Sequence, residues 1–146
     1  MTVDGAAVVC RRATPEDSLR DLTHAVIARA QTVRGGRALL EQLWGSEVDP
    51  EDFERLLHEE ISAGHLWVAQ RDGEVVAGAL VAQGCVRAIW VRPDCRRQRI
   101  ASCLLSTLLD GDTPPHDAWA LPGDRATKSL YESVGWKARL LTMRGE

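Results

Sequence analysis

Residues 85–105 read CVRAIWVRPDCRRQRIASCLL, and this stretch decides the fold. Its first part is apolar and partly β-branched, which predicts a strand that ends at Pro93, because proline has no amide proton for a ladder. From Ile100 the spacing of the apolar residues predicts a helix that runs to about Leu109. A strand, a polar loop and a helix start in this order direct free backbone amides into the loop, which favours anion binding.

Three arginines, Arg96, Arg97 and Arg99, stand just before the predicted helix start. The start of a helix carries partial positive charge, so each exposed cation there is disfavoured by about 0.3–1 kcal/mol. A polyanion bound in the loop would explain them, because guanidinium groups bind phosphate through paired hydrogen bonds. The alternative is that the three side chains only point into water, and the pattern alone leaves both interpretations open.

Composition indicates one ordinary globular domain that spans residues 1–146. Apolar residues make up 45% and charged residues 27% of the chain, and the net charge of −3 argues against a globally basic nucleic-acid binder. The N-terminus has no pattern of a secretory signal, and no apolar stretch approaches the ~18 residues of a membrane span. We therefore expect a cytoplasmic protein with no membrane partner.

The cysteines predict buried thiols rather than a metal site. Cys10, Cys85, Cys95 and Cys103 form no Cys-x-x-Cys pair, and no histidine stands at a zinc-ligand spacing from them. In a cytoplasmic protein such thiols stay reduced, and each is expected to pack as a small hydrophobic residue.

Periodicity along the rest of the chain predicts an α/β fold of the α+β mixed-sheet kind. Thr14 followed by Pro15 predicts the start of the first helix, and Asp72–Gly73 predicts a tight hairpin turn. The expected order is β-α-α-β-β-β-α-β-α-β, with a mostly antiparallel N-terminal half and one parallel strand pair. Strands are predicted at 6–12, 65–70, 74–83, 85–92, 118–121 and 136–144, and helices at 15–33, 50–63, 100–109 and 125–134, with a short helix at 37–44 left open.

Two motifs resemble those of the GNAT N-acetyltransferase superfamily. Its acetyl-coenzyme A signature reads Val-x-Pro-x-x-Arg-Gly-x-Gly-Ile-Gly/Ala-x-x-Leu-Leu, and the residues that match it are Val91, Pro93, Arg96, Ile100, Ala101, Leu104 and Leu105. Residues 124–136, DRATKSLYESVGW, resemble the family's Asn-x-x-Ala-x-x-Leu-Tyr-x-x-x-Gly-Phe through Leu130, Tyr131 and Gly135. The resemblance runs from about Leu66 to the C-terminus. It departs from the family where Arg97 and Arg99 replace the two signature glycines and where Asp124 replaces asparagine.

The resemblance implies acetyl-coenzyme A as co-substrate and no metal. The pantetheine arm would lie along the strand before the signature, with the thioester carbonyl on the amide of Trp90 or Val91. Tyr131 would protonate the departing thiolate, from a helix face that Asp124 and Lys128 share, while Ala126, Leu130 and Val134 would face the sheet. The expected cofactor-binding residues are Ile89, Trp90, Val91, Arg96, Arg97, Gln98, Arg99, Ile100, Ala101, Ser102, Asp124 and Lys128.

The acceptor is expected to be the amine of a small molecule or peptide, selected by residues 31–49, where the resemblance is weakest. Candidates for the base are His65, Glu59, Glu60 and Asp94, with a water chain as the alternative. A second hypothesis is a non-catalytic acyl-coenzyme A-binding or degenerate module of the same fold. A third is an RNA-linked role for the arginines, which the acidic net charge disfavours unless the acceptor is tRNA-linked. A homodimer is left open.

Overall fold

The computed structural model describes residues 2–3, 6–45, 49–97, 99–143 and 145. Within these residues the chain forms six strands and five α-helices, together with short 3-10 turns at Pro50–Asp52 and Pro93–Cys95. The strands are β1 (Thr2–Val3), β2 (Ala6–Arg12), β3 (Leu66–Arg71), β4 (Glu74–Ala82), β5 (Cys85–Val91) and β6 (Asp117–Ala118). The helices are α1 (Arg20–Thr32), α2 (Gly36–Trp44), α3 (Phe53–Ser62), α4 (Ile100–Leu109) and α5 (Arg125–Glu132).

The sheet is mixed, as predicted. Its strands lie in chain order from β1 to β6, with antiparallel pairs throughout except for the parallel pair of β5 and β6. The strand β6 pairs only with Cys85 and Val86, at the start of β5. The remaining part of β5 therefore lies at an edge of the sheet, beside the loop that leads into α4.

Two apolar cores pack on the two faces of the sheet. The helices α1, α2 and α3 cover one face through a cluster that includes Leu22, Phe53 and Leu57. On the other face α4 and the Tyr131 ring of α5 pack against the sheet. Gly78 of β4 lets α1 approach closely, because a Cβ atom there would meet Leu22 Cδ2 at 2.8 Å.

A β-bulge interrupts β5 at Arg87. Ala88 pairs with Leu80 and Val86 pairs with Val81, so Arg87 is the extra residue of this strand. Side chains of a regular strand alternate between faces, yet Val86 and Ile89 both face α4 although they are three residues apart. The bulge thus shifts the alternation of the β5 side chains between the two faces of the sheet by one residue, at the point where the pairing with β6 ends.

The first helix starts later than predicted. The expectation of a start at Thr14 and Pro15 is wrong, because α1 begins at Arg20. The Asp17 carboxylate accepts the Thr14 N–H at 2.7 Å and binds both terminal nitrogens of the Arg11 guanidinium at 2.7–2.8 Å. The residues that suit a helix start are held instead in a turn that anchors the end of β2.

A predicted hairpin turn and a predicted helix cap are confirmed, and one predicted strand is wrong. Asp72 and Gly73 form the hairpin turn with φ of 52° and 80°, and Asp124 caps α5 by accepting the Thr127 N–H at 3.2 Å. The strand predicted at 136–144 is not formed: residues 136–143 have no strand pairing in the described chain, and Arg144 lies outside it. Leu140 is 91% exposed, because the two-residue β6 offers almost no ladder for a further strand.

Candidate active site

A cleft of about 600 Å³ opens between the free edge of β5, the loop before α4, and the helices α1 and α5. Nine of the predicted cofactor-binding residues line it: Ile89, Trp90, Val91, Arg96, Arg97, Arg99, Ile100, Ala101 and Ser102. Gln98, also predicted, lies outside the described residues. The fold therefore gathers the end of β5 and the start of α4 around one opening.

The backbone of β5 decides which amide faces the cleft. The Arg92 N–H donates to the Val76 carbonyl of β4 at 2.8 Å. Since the N–H groups of a strand alternate between its two edges, the Trp90 N–H also points to β4, opposite Gly78. The N–H groups of Ile89 and Val91 then point to the free edge. Of the two amides predicted from the sequence, only that of Val91 is directed towards the cleft.

The loop before α4 has the backbone shape of a glycine turn although arginines form it. Arg97 has φ of 64° and Arg99 has φ of 62°, in the left-handed region that favours glycine. The first helical bond of α4 runs from the Cys103 N–H to the Arg99 carbonyl at 3.0 Å. The preceding amides of Ile100, Ala101 and Ser102 have no carbonyl of their own helix to bind, and they stand at the cleft.

Arg92 fixes the entry to this loop. Its guanidinium binds Asp94 at 2.6 Å, Glu74 at 3.0 Å and Asp21 at 3.2 Å, and so ties β5 to β4 and α1. The hydrogen bond from Arg92 also holds the pKa of the Asp94 carboxyl below its usual range. Asp94 is therefore a weak proton acceptor, which counts against it as the general base.

The other predicted bases have partners on the outer surface. His65 Nδ1 lies 2.8 Å from Glu60 Oε2, the second Glu60 oxygen accepts the Trp44 indole N–H, and Glu59 pairs with Arg55. In the part of the chain that the structure describes, none of the four candidates lines the cleft. The arrangement favours a proton path through water over a side-chain base.

The face of α5 that meets the cleft is not the predicted one. Ala126, Thr127, Ser129, Leu130 and Ser133 line the cleft. Lys128 is exposed and, within the described chain, stands outside it. Val134, expected to face the sheet, is 39% exposed. The prediction that Tyr131 faces the ligand is wrong, because its ring fills the core beside α4, and Ala126, predicted to face the sheet, is exposed at the cleft. Leu130 packs against the core on the sheet, as predicted, and also lines the cleft.

Tyr131 carries an unusual hydroxyl group. The side chain is 6% exposed and its ring stacks on Trp136 with a centroid distance of 5.9 Å. The hydroxyl oxygen is buried and has no hydrogen-bond partner among the described residues. Burial, with smaller contributions from Cys85 and Asp124, raises the pKa of Tyr131 well above its usual value. The hydroxyl is thus neutral and buried, on the residue that follows the cleft-lining Leu130 in the chain.

An ion pair that the sequence did not indicate joins two walls of the cleft. The Arg29 guanidinium of α1 binds the Asp124 carboxylate at the start of α5, and it also donates to Thr127 Oγ1 at 3.2 Å. Both side chains are largely buried, with 18% and 9% exposure. The signal in the sequence was weak: Arg29 stands one turn beyond Ala25 and Val26, beside the apolar stripe of α1. Asp124 was predicted to contact the cofactor, and here its carboxylate is already bound by Arg29 and Thr127.

The described residues form neither a metal-ligand cluster nor a membrane-spanning helix. Among the described residues no three His, Cys, Asp or Glu side chains come together as metal ligands. Every helix in those residues is too short or too polar to cross a bilayer.

The sequence profile of the acetyltransferase (GNAT) domain matches residues 62–138, which is more than half of the chain. The chain belongs to the GNAT acetyltransferase family. The matched segment of this GNAT protein runs from the end of α3 through the cleft loop and α5, and so includes both motifs. The chain has no significant sequence match among curated proteins.

Solved GNAT structures share the fold of this GNAT chain at low identity. A ribosomal-protein-alanine N-acetyltransferase from Brucella melitensis is 22% identical with a TM-score of 0.64, covering 87% of this chain and 83% of that one. An N-acetyltransferase from Staphylococcus aureus Mu50 is 16% identical with a TM-score of 0.66, covering 90% and 84%. An aminoglycoside N-acetyltransferase, AAC(6')-Iy, in complex with CoA is 15% identical with a TM-score of 0.58, covering 99% of both chains. At these identities the likeness extends to the fold.

Proposed function

We propose that this GNAT protein transfers an acetyl group from acetyl-coenzyme A to an amine by direct attack. The observation that carries the proposal is the cleft in which the free edge of β5 and the unbonded first amides of α4 meet. The edge offers hydrogen bonds to an extended amide-containing arm, and the helix start offers them to an anion. Coenzyme A has both chemical features in one molecule.

The loop residues fit a bound pyrophosphate. Arg96, Arg97 and Arg99 are exposed at the cleft and supply positive charge that the bound anion would neutralise. The left-handed backbone at Arg97 and Arg99 keeps the turn that the glycines of the signature allow, so the arginine side chains need not displace the loop. We therefore infer that the arginines add phosphate contacts rather than prevent binding.

In the proposed reaction the amine nitrogen bonds to the thioester carbon, the carbon–sulfur bond breaks, and the coenzyme A thiolate takes a proton. The Val91 N–H, directed to the free edge, would donate to the carbonyl oxygen as negative charge develops there. Tyr131 is the proposed proton donor, since its raised pKa keeps it protonated and its hydroxyl has no partner among the described residues. Because the side chain is buried, the proposal requires the coenzyme A sulfur to come within hydrogen-bond reach of the hydroxyl on binding.

The proposed acceptor is a primary amine of a small molecule or a peptide. Two of the structural neighbours are named for their acceptors, a ribosomal protein's alanine in one case and aminoglycosides in the other. Both are amines, and the cleft opening between α1 and α5 sets the size limit for such an acceptor here. A tRNA-linked amine is kept as a further acceptor class, and a homodimer remains a prediction.

A titration of thermal stability with acetyl-coenzyme A, followed by a thiol-release assay over a panel of amines, tests this proposal. Ligand that binds only the folded protein should stabilise it by about 2.7 kcal/mol at a hundredfold excess over Kd. We expect a rise in melting temperature and release of coenzyme A thiol with at least one amine. An unchanged melting temperature at millimolar ligand would refute the proposal.

The second candidate is a non-catalytic acyl-coenzyme A-binding or degenerate module. It is favoured by the burial of Tyr131, which is not among the described residues that line the cleft, and by the engagement of Asp124 with Arg29. It predicts ligand-dependent stabilisation without thiol release for any amine if binding is kept, and neither effect if the domain is degenerate. The same pair of measurements therefore separates both forms of this candidate from the enzyme.

A further inference from the structure

Two thiols from different layers of the fold touch on the α4 face of the sheet. The Sγ atoms of Cys10 in β2 and Cys103 in α4 lie 3.5 Å apart. Cys103 is buried, whereas Cys10 is partly exposed. A separate cavity of about 380 Å³, also lined by Ser106 and Thr107, borders both residues. Small thiol reagents can therefore reach the pair without entering the active-site cleft.

The distance between these sulfurs is short enough for a covalent bond after a small movement. A disulfide places its sulfur atoms ~2.05 Å apart, so the sulfurs must approach by about 1.5 Å, through side-chain rotation and a small shift of α4 towards β2. We propose that Cys10 and Cys103 form a reversible dithiol–disulfide site that cross-links β2 to α4. The other cysteines are placed differently: Cys85 and Cys95 are buried, and the Cys95 sulfur accepts a hydrogen bond from Arg71 at 3.3 Å.

The oxidant is a small-molecule disulfide such as glutathione disulfide. The Cys10 thiolate attacks one sulfur of the oxidant, forms a mixed disulfide and releases one glutathione thiolate. The Cys103 thiolate then attacks the Cys10 sulfur and releases the second. In total the two protein thiols lose two electrons and two protons, and the sulfur–sulfur bond of the oxidant is reduced to two thiols. Cys10 reacts first with the oxidant because it is the less buried of the two thiols.

The environment of the pair disfavours the thiolate form of Cys10. Burial, together with the neighbouring Cys103, raises the pKa of Cys10 to about 12. The Cys10 thiol is therefore neutral in ordinary buffer, and its exchange with glutathione disulfide is slow, since the thiolate is the attacking form. A slow reaction suits a site that responds to prolonged oxidising conditions.

A bond at this point would alter the coenzyme A end of the cleft, and this consequence depends on the proposed function. The Cys103 N–H donates the first helical bond of α4, to the Arg99 carbonyl. Drawing Cys103 towards β2 displaces the first turn of α4, whose amides would hold the pyrophosphate. We expect the oxidised protein to bind coenzyme A about tenfold more weakly, the equivalent of one lost hydrogen bond to a charged group.

Peptide mapping of the full chain tests the disulfide directly. Trypsin cleaves after lysine and arginine, so the four cysteines fall in four different peptides, at residues 1–11, 72–87, 88–96 and 100–125. After incubation with glutathione disulfide and alkylation of the remaining thiols, we expect a linked peptide that joins 1–11 to 100–125. It should weigh less than the two thiol peptides together by two hydrogen atoms and should disappear after dithiothreitol.

Variants sharpen the same test. Cys10→Ser should abolish the linked peptide, and Cys85→Ser, the matched control, should retain it. Complete alkylation of Cys10 and Cys103 after prolonged oxidation, or links that use other cysteines, would overturn the proposal. If Cys10→Ser does not fold, the mapping of the unmodified protein decides alone. If the dithiol and disulfide forms bind coenzyme A with equal affinity, the proposed weakening of coenzyme A binding is overturned. If neither form binds coenzyme A, the proposed function is refuted and the disulfide result stands.

Discussion

Replacement of Tyr131 by phenylalanine should raise the stability of the free protein and lower its activity. The hydroxyl oxygen is buried without a partner in the described part of the chain. A buried polar group without a hydrogen bond costs about 1–3 kcal/mol. Tyr131→Phe removes that group and keeps the ring that stacks on Trp136, so the free energy of unfolding should rise by about that amount. At this chain length each kcal/mol raises the melting temperature by about 2–4 °C.

The effect on turnover should have the opposite sign. If the hydroxyl protonates the coenzyme A thiolate, its loss removes a contribution that for a positioned acid is typically about 10²–10⁴-fold. We expect thiol release to fall about tenfold or more, a loss of about 1.4 kcal/mol in transition-state stabilisation. Coenzyme A affinity should change little. Chemical denaturation of the free protein and a thiol-release assay with one accepted amine give the two quantities.

Thr23→Val provides the matched control. The Thr23 hydroxyl in α1 is also buried and unpartnered in the described residues, and valine has nearly the same shape. This variant should gain stability without a change in turnover. A Tyr131→Phe protein that is less stable than the parent and equally active would refute the reasoning, because the hydroxyl would then have a structural partner and no role in proton transfer.

Three further predictions concern the loop, the first turn and the ion pair across the cleft. Arg99→Gly should stabilise the free protein by up to about 1.6 kcal/mol in chemical denaturation. The left-handed arginine costs about 1–2 kcal/mol, and the added unfolded-state entropy of glycine offsets about 0.4–1 kcal/mol of the gain. Reduced stability would show that the arginine side chain makes a compensating contact. Asp17→Asn should cost about 1–2 kcal/mol at neutral pH. The hydrogen bond from Arg11 lowers the pKa of Asp17. The difference in unfolding free energy between the parent and this variant should therefore shrink as the pH falls below about 4, the pKa of aspartate in the unfolded chain. A difference that does not depend on pH would contradict this prediction. Asp124→Asn keeps a residue able to cap α5 but removes the charge that Arg29 binds. A double-mutant cycle with Arg29→Met should give a coupling energy of about 1–3 kcal/mol. Additive effects of the two substitutions would show that the pair does not join the walls of the cleft.

The residues around the cleft loop were predictable because the signals are local. A run of β-branched residues, a proline, a polar loop and an apolar helix stripe follow one another within 85–105, and each follows from the chemistry of a few neighbouring residues. The two left-handed loop positions were indicated by the family signature, because Arg97 and Arg99 stand where the signature has glycine. The Asp72–Gly73 turn and the Asp124 cap are further local features that the structure has as predicted.

Long-range contacts decided what the sequence pattern left wrong or open. Thr14 and Pro15 have the local chemistry of a helix start, but the Asp17 carboxylate is held by Arg11 of β2, and the helix begins only at Arg20. The segment at 136–143 has strand-like composition, yet a strand needs a partner edge, and β6 supplies only two residues.

The sequence by itself therefore determined the order of the elements from β2 to α5, with α2 left open, together with the mixed sheet and the loop that faces the cleft. Only the tertiary structure decided how α5 is turned, so that Leu130 meets the cleft and Tyr131 enters the core, since helical periodicity separates two faces without stating which one is covered. It also brought together Arg29 with Asp124 and Cys10 with Cys103, residues more than 90 positions apart in the chain. No spacing rule links such pairs, because their contact depends on how whole helices and strands pack.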